Sequence, residues 1–259
     1  MGRHDVPDVV SAEVADGIAI ITINRPEARN AVNEAVARSI AAHLDDFDSR
    51  GEITSLIITG AGGTFCAGMD LKGFAAGEDS TAGGRGFGGI TQRPPAKTII
   101  AAVEGYALAG GFEIVLSCDL IVASEEAVFG LPEVSRGLVA GAGGLFRLPR
   151  RIPYHLAMEI ALSGARVPAA RLHAAGLINR LVPAGEALAQ ARTLAAEIGR
   201  NAPLSLVATK RIVAESADWP LAEAFDRQSG IAGPVFFSAD AMEGAVAFAE
   251  KRPPVWRGE

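Results

Sequence analysis

Residues 99–119 read IIAAVEGYALAGGFEIVLSCD, and this stretch decides the fold. It opens with a continuous apolar run, as in a buried strand that helices cover on both faces. Gly110 and Gly111 then begin a second apolar run that holds one carboxylate, Glu113. The pattern predicts a strand over residues 98–105 and a helix that begins near Gly110. Because burying an ionised group without partners is expensive, the carboxylate needs a reason to be there.

Two interpretations of Glu113 follow from the glycine step before it. The free N–H groups and the dipole of a helix N-terminus favour negative charge, and glycine lets a ligand approach the backbone closely. Glu113 could satisfy amides in the first turn of its own helix, or it could project towards a ligand held by those amides. The motif alone leaves both interpretations open.

The remainder of the chain alternates strand and helix signals before it becomes helical. Asp16-Gly17 between two β-rich runs predicts a hairpin. Strands separated by helices and then helices alone indicate an α/β core with a helical C-terminal extension. The predicted strands are residues 9–14, 18–23, 55–60, 98–105, 119–124 and 178–182. The predicted helices are residues 33–47, 153–162, 168–175, 184–199, 203–216 and 238–252.

A glycine-rich stretch interrupts this order at residues 72–95. Seven of its residues are glycine, and Pro94-Pro95 closes it. A stretch of this length without periodicity is either a mobile functional loop or disordered.

Composition excludes several classes of protein. The formal charge of −6 argues against a nucleic-acid surface, and the absence of an apolar window of about 18 residues argues against a membrane span. Two cysteines give neither a disulfide framework nor a metal site, which predicts a reducing compartment. Since residues 1–14 also lack a secretory signal, we expect a cytoplasmic protein.

Two further motifs could supply chemistry. The stretch TGAGGTFCAGMDLK (59–72) follows a buried strand, but it fits neither the P-loop nor the dinucleotide fingerprint. The amide of Met69, just after Gly68, could instead join an amide near Gly110 to form an oxyanion hole for a carbonyl oxygen. The stretch FGLPEVSRGLVAGAGG (129–144) holds Glu133, which alone would be interpreted as part of a surface turn.

Together these motifs resemble the enoyl-CoA hydratase/isomerase, or crotonase, superfamily. Their order and spacing cover nearly the whole chain. The resemblance implies a ClpP/crotonase-like α/β spiral of ββα units in residues 1–195. It also implies a C-terminal helical oligomerisation segment in residues 196–259, and assembly as a homotrimer or a dimer of trimers. The matching motifs are NRPEARNA (24–31), FCAGMDLK (65–72), residues 99–119 and 129–144, AAGLINRLVP (174–183) and AFAEKR (247–252).

Carried over position by position, the resemblance assigns roles to individual residues. Met69 and Gly110 would supply the two oxyanion-hole amides, and Glu113 and Glu133 would form the catalytic pair. Residues 73–90 would cover the acyl pocket, and Lys251 would approach the coenzyme A phosphates. Ala109 departs from the family pattern, because it replaces the first glycine of a common triple-glycine form. The residues expected to contact coenzyme A are Ala28, Arg29, Ala67, Met69, Asp70, Leu71, Lys72 and Gly110.

Both glutamates together favour hydration over the superfamily's other reactions. The resemblance implies that isomerases often work with one carboxylate, whereas a hydratase moves one proton from water and one to Cα. We therefore expect a lyase of fatty acid metabolism, an enoyl-CoA hydratase, with an acyl-CoA substrate and no separate cofactor, metal or nucleic acid. Residues 129–153 and the chain's end also resemble carnitinyl-CoA dehydratase. That activity, an enoyl-CoA isomerase and a non-catalytic acyl-CoA-binding protein are the alternatives.

Overall fold

A computed structural model describes residues 8–259 of the chain. Residues 1–7 lie outside that range. They are the first half of residues 1–14, for which no secretory signal is expected. The strands in the described part are β1 (Val10–Ala15), β2 (Ile18–Ile23), β3 (Ser55–Gly60), β4 (Thr98–Val103), β5 (Tyr106–Leu108), β6 (Leu120–Ser124), β7 (Val128–Gly130), β8 (Val167–Pro168) and β9 (Arg180–Val182).

The main sheet has six strands in the order β1-β2-β3-β4-β6-β9. Only the β1–β2 pair is antiparallel, and its connection, Asp16-Gly17, has φ angles of 52° and 75°. Positive φ at both positions is what the tight turn of a two-residue hairpin needs, so the predicted hairpin is confirmed. Strands β2, β3 and β4 are buried almost throughout. Their uninterrupted apolar sequences follow from this burial on both faces.

A second, smaller sheet lies beside the first and shows the repeat of the fold. It has the order β5-β7-β8, with β5 and β7 parallel, and Cys66 adds a parallel bridge to Ala107. The chain therefore runs from the main sheet to the second sheet and into a helical turn twice in succession, after β4 and after β6. These stacked ββα units confirm the predicted α/β spiral.

The helices bracket and extend these sheets. Asn33 caps α1 by accepting a hydrogen bond from the amide of Val36, as its position before the helix predicts. The helices of the described part are α1 (Glu34–Ser49), α2 (Leu71–Ala75), α3 (Gly110–Val115), α4 (Gly144–Arg147), α5 (Tyr154–Ser163), α6 (Ala169–Ala174), α7 (Ala187–Ile198), α8 (Pro203–Ser216), α9 (Leu221–Phe236) and α10 (Ala239–Glu250).

The sequence patterns do not predict three of these helices, α2, α4 and α9. Helix α2 is short, and Asp70 caps it by accepting from the amides of Lys72 and Gly73. Helix α9 contains Pro234 and two glycines, which disfavour a helix locally, and none of its residues is buried. Its contacts with α8 and α10 stabilise it instead.

The core lies on both faces of the main sheet. One cluster packs α1 and α3 against the sheet, and the other packs the alanine face of α7 on the opposite side. The predicted division after residue 195 falls inside α7, whose Ala195 is fully buried in that second cluster. Helices without neighbouring strands begin at α8.

The C-terminal helices expose many apolar side chains. Phe225, Phe236, Phe237 and Phe248 are each more than three-quarters exposed. No single helix in residues 8–259 is long and apolar enough to cross a membrane. Helices α9 and α10 meet the length and hydropathy requirement only as a pair, which is bent by 68°.

Candidate active site

A cavity of about 410 Å³ opens where β5, α3, the segment after Cys66 and the turn after Leu131 meet. A wider depression of about 620 Å³ lies between α1 and residues 79–86, but none of the predicted catalytic or coenzyme A-contacting residues lines it. The smaller cavity brings together Ala67, Met69, Leu71, Phe74, Thr81, Phe87, Thr91, Gln92, Leu108, Ala109, Gly110, Glu113, Pro132, Glu133, Arg136, Leu138, Val139, Gly141 and Ala142.

Two backbone amides meet at one wall of this cavity. A Cβ placed on Gly68 would lie 2.8 Å from Cβ of Ala109 and 3.3 Å from the amide nitrogen of Gly110, so the two segments are in direct contact. Met69 follows Gly68, and Gly110 begins α3. Among residues 8–259, neither of these two amides donates to a protein acceptor. Two free amides on one wall can hold a developing oxyanion.

Ala109 is the residue that turns the chain into α3. Its φ and ψ are 51° and −128°, a conformation that an L side chain rarely adopts. Its amide donates to the carbonyl of Gly130, and its carbonyl accepts from the amide of Glu113. The strained residue, Ala109, therefore directly precedes Gly110, whose amide is free.

The carboxylate of Glu113 is buried and held by a distant turn. Its Oε1 accepts hydrogen bonds from the amides of Ala142 at 2.7 Å and Gly144 at 2.9 Å. Desolvation by burial raises the pKa of Glu113, and these two amides and the charge of Arg147 offset part of that rise. Because the amides lie about 30 residues further along, the interpretation that Glu113 satisfies its own helix is wrong.

Glu133 reaches the same cavity from a 3₁₀ turn, Pro132–Arg136. The residue is 9% exposed, and its Oε2 has no hydrogen-bond partner in the described part of the chain. Burial raises the pKa of Glu133, and the negative charge of Glu113 raises it further. The protonation of Glu133 therefore depends on the charge of Glu113.

The glycine-rich stretch is folded and lines the cavity. Arg85 is 2% exposed and pairs with Asp45 at 2.7 Å, which ties the stretch to α1. Phe87 lies over the start of α3, because a Cβ on Gly110 would be 2.3 Å from its Cε1. Disorder, one of the two expectations for this stretch, is therefore wrong.

The residues expected to contact coenzyme A lie at two adjoining segments. Ala28 and Arg29 end a 3₁₀ turn, and the carbonyl of Arg29 accepts from the amide of Ala67. Asp70 pairs with Arg25 at 3.0 Å and caps α2, so its carboxylate already has partners. Leu71 and Lys72 are both exposed. Lys251, by contrast, ends α10 in the left-handed region and does not line the cavity.

Several residues of the site went unidentified in the sequence. The amides of Ala142 and Gly144 fix Glu113, and Arg147 donates to the carbonyls of Ala142 and Thr91 beside them. The Gly143-Gly144 pair indicates a turn in the sequence. Its hydrogen-bond partner, Glu113, lies 31 residues earlier, so the sequence pattern does not predict the contact.

Neither cysteine is placed for chemistry. Burial raises the pKa of Cys66 and of Cys118 to about 12, so both thiols stay protonated near neutral pH. Residues 8–259 contain no group of three or more His, Cys, Asp or Glu side chains that could hold a metal ion.

Comparison with known proteins decides the family. Residues 13–259 match the family model of the enoyl-CoA hydratase/isomerase family. The chain belongs to that family. The crystal structure of the enoyl-CoA hydratase EchA1 from Mycobacterium marinum has a TM-score of 0.96 and 56% identity over 98% of this chain and all of that one.

Curated family members differ in their acyl groups. The mevalonyl-coenzyme A hydratase sidH of Aspergillus fumigatus is 42% identical over 93% of this chain and 91% of its own length. The carnitinyl-CoA dehydratase of Proteus mirabilis is 39% identical over 92% of this chain and 94% of its own length. The family comparison thus confirms the predicted fold and the predicted hydratase-type enzyme class. The chain is about equally identical to relatives whose names specify different acyl groups, so these identities do not select one acyl group for its substrate.

Proposed function

We propose that this chain is an enoyl-CoA hydratase that adds water across the 2,3 double bond of a 2-enoyl-CoA thioester. The observation that carries the proposal is the meeting of two buried glutamates and two free backbone amides at one cavity. An oxygen of the thioester needs amide donors, and the two carbons need a base and an acid beside them.

In this proposal the amides of Met69 and Gly110 bind the thioester oxygen and stabilise the enolate that forms. The Glu113–Glu133 pair accepts one proton from water as the water oxygen bonds to Cβ, and delivers one proton to Cα. The raised pKa of both carboxyls supports this role, because burial favours the protonated form that a general acid needs. The reverse sequence gives dehydration.

Coenzyme A is then part of the substrate and lies along Ala28, Arg29, Ala67 and residues 69–72. Two features support this placement. The exposed cations Arg29 and Lys72 suit phosphates, and the hydrogen bond between Arg29 and Ala67 joins the two segments.

Carnitinyl-CoA dehydratase activity is the second candidate. It is favoured by the similarity to a carnitinyl-CoA dehydratase along most of both chains. It would use the same amides and glutamates, so the two candidates differ only in the acyl group.

The assembly we propose is a homotrimer or a dimer of trimers in the cytoplasm. The exposed apolar faces of α9 and α10 support burial against other copies of the chain, because patches of this kind are rare on monomers. Light scattering after size-exclusion chromatography would give the mass; a monomer would contradict the proposal. The two free cysteines support a reducing compartment.

Loss of absorbance of the conjugated thioester tests the hydratase proposal directly. Glu113→Gln and Glu133→Gln are each expected to lower kcat by about 10²- to 10⁴-fold, as for removal of a general acid or base. The matched control is Glu125→Gln, since Glu125 is an exposed glutamate that does not line the cavity. A wild-type protein inactive on crotonyl-CoA, on longer 2-enoyl-CoA esters and on crotonobetainyl-CoA would refute the proposal.

A further inference from the structure

Arg136 shares one face of a short helical turn with Glu133. Both belong to the 3₁₀ turn Pro132–Arg136, in which residues three apart eclipse each other. A rise of about 2 Å per residue places Arg136 about 6 Å along the turn from Glu133. Both residues line the cavity. Arg136 therefore lines the same cavity as the glutamate, three residues further along the turn, and it is exposed.

The guanidinium of Arg136 has no anionic partner in residues 8–259. Its one hydrogen bond is a long contact of 3.5 Å to the carbonyl of Pro132 in its own turn. No carboxylate of the described residues lies within 4.0 Å of it, whereas Arg25 is paired with Asp70. The positive charge of Arg136 lowers the pKa of Glu133 without offsetting the rise caused by burial.

The rest of the lining near Arg136 in sequence is apolar, whereas two other lining residues are polar. Leu138 and Val139 line the cavity, as do Thr91 and Gln92. The hydroxyl of Thr91 is buried and has no partner among the described residues, whereas the side chain of Gln92 is exposed. A purely hydrocarbon acyl chain would leave the hydroxyl of Thr91 and the guanidinium of Arg136 without a partner.

We propose that Arg136 forms an anion subsite in the acyl pocket, and that the preferred substrate is a 2-enoyl-CoA whose acyl chain ends in a carboxylate. This inference rests on the proposed hydratase function. A planar guanidinium binds a carboxylate through two parallel hydrogen bonds, which an alkyl end cannot offer.

The same subsite disfavours a cationic acyl group. A trimethylammonium end needs aromatic faces or an acidic partner. Phe74 and Phe87 line the cavity, but its two carboxylates are the proposed catalytic pair, and Arg136 adds a repelling charge. Carnitinyl-type substrates should therefore be poor ones.

The experiment compares three thioesters on the purified full-length protein. These are 2-hexenedioyl-CoA, 2-hexenoyl-CoA of the same length without the carboxylate, and crotonobetainyl-CoA with a cation. Hydration is followed at the conjugated thioester band. The deciding quantity is the ratio of kcat/KM for 2-hexenedioyl-CoA to that for 2-hexenoyl-CoA.

In the wild type we expect this ratio to exceed one, and in Arg136→Leu to fall by about 10- to 100-fold, mainly through KM. Arg136→Lys should retain part of the preference, and Arg136→Glu should raise activity on crotonobetainyl-CoA relative to the wild type. The control is Arg200→Leu, which removes the same charge from an exposed position outside the cavity.

Three outcomes separate this inference from the proposed function. If the wild type hydrates no thioester, the hydratase proposal itself fails. If it hydrates 2-hexenoyl-CoA at least as well as 2-hexenedioyl-CoA, the anion subsite is refuted and the hydratase stands. If Arg136→Leu weakens every thioester equally, Arg136 contacts the coenzyme A portion, which also refutes the subsite.

Discussion

The carboxylate oxygen Oε1 of Glu113 accepts a hydrogen bond from the backbone amide of Gly144, 31 residues further along the chain. That single contact joins α3 to the first residue of α4. Together with the hydrogen bond from the amide of Ala142 to the same oxygen, it fixes the direction of the carboxylate. We therefore expect the proposed activity of Glu113 to depend on a glycine that itself has no reactive group.

Gly144→Ala should lower kcat without lowering stability. A Cβ at this position would lie 3.1 Å from Cγ and 3.2 Å from Oε1 of Glu113, so the carboxylate has to move by a few tenths of an ångström. Misplacement of a catalytic group commonly costs about 10- to 100-fold in rate. Steady-state hydration kinetics give kcat, and thermal unfolding checks the fold.

The control for this substitution is Gly141→Ala in the same turn. Its Cβ would meet only the carbonyl of Val139, at an ordinary 3.7 Å. We expect it to keep kcat within about threefold of the wild type, since no reacting group has to shift. Equal kcat for Gly144→Ala and Gly141→Ala would show that the amide of Gly144 does not position Glu113.

Ala109→Gly should stabilise the protein. Alanine at a φ of 51° and a ψ of −128° carries strain of about 1–3 kcal/mol, which glycine does not have. Part of the gain is offset by the greater freedom of glycine in the unfolded chain, so a net gain of about 1 kcal/mol is expected. For a chain of this size that corresponds to a Tm about 2–4 °C higher.

Ala107→Gly is the matched control, because Ala107 lies two residues earlier, fully buried in β5 with an ordinary strand conformation. There glycine should lower stability by about 0.5–1 kcal/mol. Calorimetry that found the same sign for both variants would argue against strain at Ala109.

The sequence was most informative where burial is uniform along an element. Strands β2 and β3 have the predicted bounds, residues 18–23 and 55–60, because their continuous apolar runs reflect burial on both faces. The run after residue 98, in contrast, contains two strands. Gly105, with a φ of 54°, turns β4 into the three-residue β5, which pairs with β7 and, at Ala107, with Cys66.

The site divides in the same way between local and distant determinants. The two glycine steps, at Gly68 and Gly110, are local signals, and the structure brings them into contact as predicted. The hydrogen-bond partners of Glu113 depend on tertiary packing, and the side of the turn on which Arg136 lies depends on a 3₁₀ periodicity. The amino-acid sequence alone shows neither.

Glu133→Gln should stabilise the protein at neutral pH and not at acidic pH. The pKa of Glu133 lies above its usual 4.5 in the folded state, mainly because burial disfavours the charged form. Between the unfolded and folded pKa values the folded state holds the extra proton, so wild-type stability falls as pH rises through that window. Glutamine does not ionise and escapes this loss.

Thermal unfolding at a series of pH values checks this prediction. The difference in Tm between Glu133→Gln and the wild type should be near zero below about pH 4.5 and grow as the pH rises. Glu125→Gln, at an exposed position, gives the general effect of removing one negative charge from a chain of net charge −6 and is subtracted. A difference that did not change with pH would mean that burial does not perturb this carboxyl.

Lys210→Met should loosen the C-terminal helices from the core. The ammonium of Lys210 on α8 pairs with Asp119 at 2.7 Å and donates to the carbonyls of Pro95 and Lys97 at 2.8 Å each. Its side chain is only 16% exposed, so methionine would leave a partly buried carboxylate and two carbonyls without this donor. We expect a loss of about 2 kcal/mol in the free energy of unfolding, measured by urea denaturation.

The neighbouring Arg211→Met is the control, because Arg211 is exposed and pairs only with Glu215 one turn further along the same helix. Such a surface pair contributes about 0.3–0.5 kcal/mol, so the urea midpoint should hardly move. If Lys210→Met lowered the midpoint no more than Arg211→Met, α8 would be held to the core by its apolar contacts alone. If it lowered the midpoint and also reduced the urea dependence of the transition, the C-terminal helices would be separating before the core unfolds.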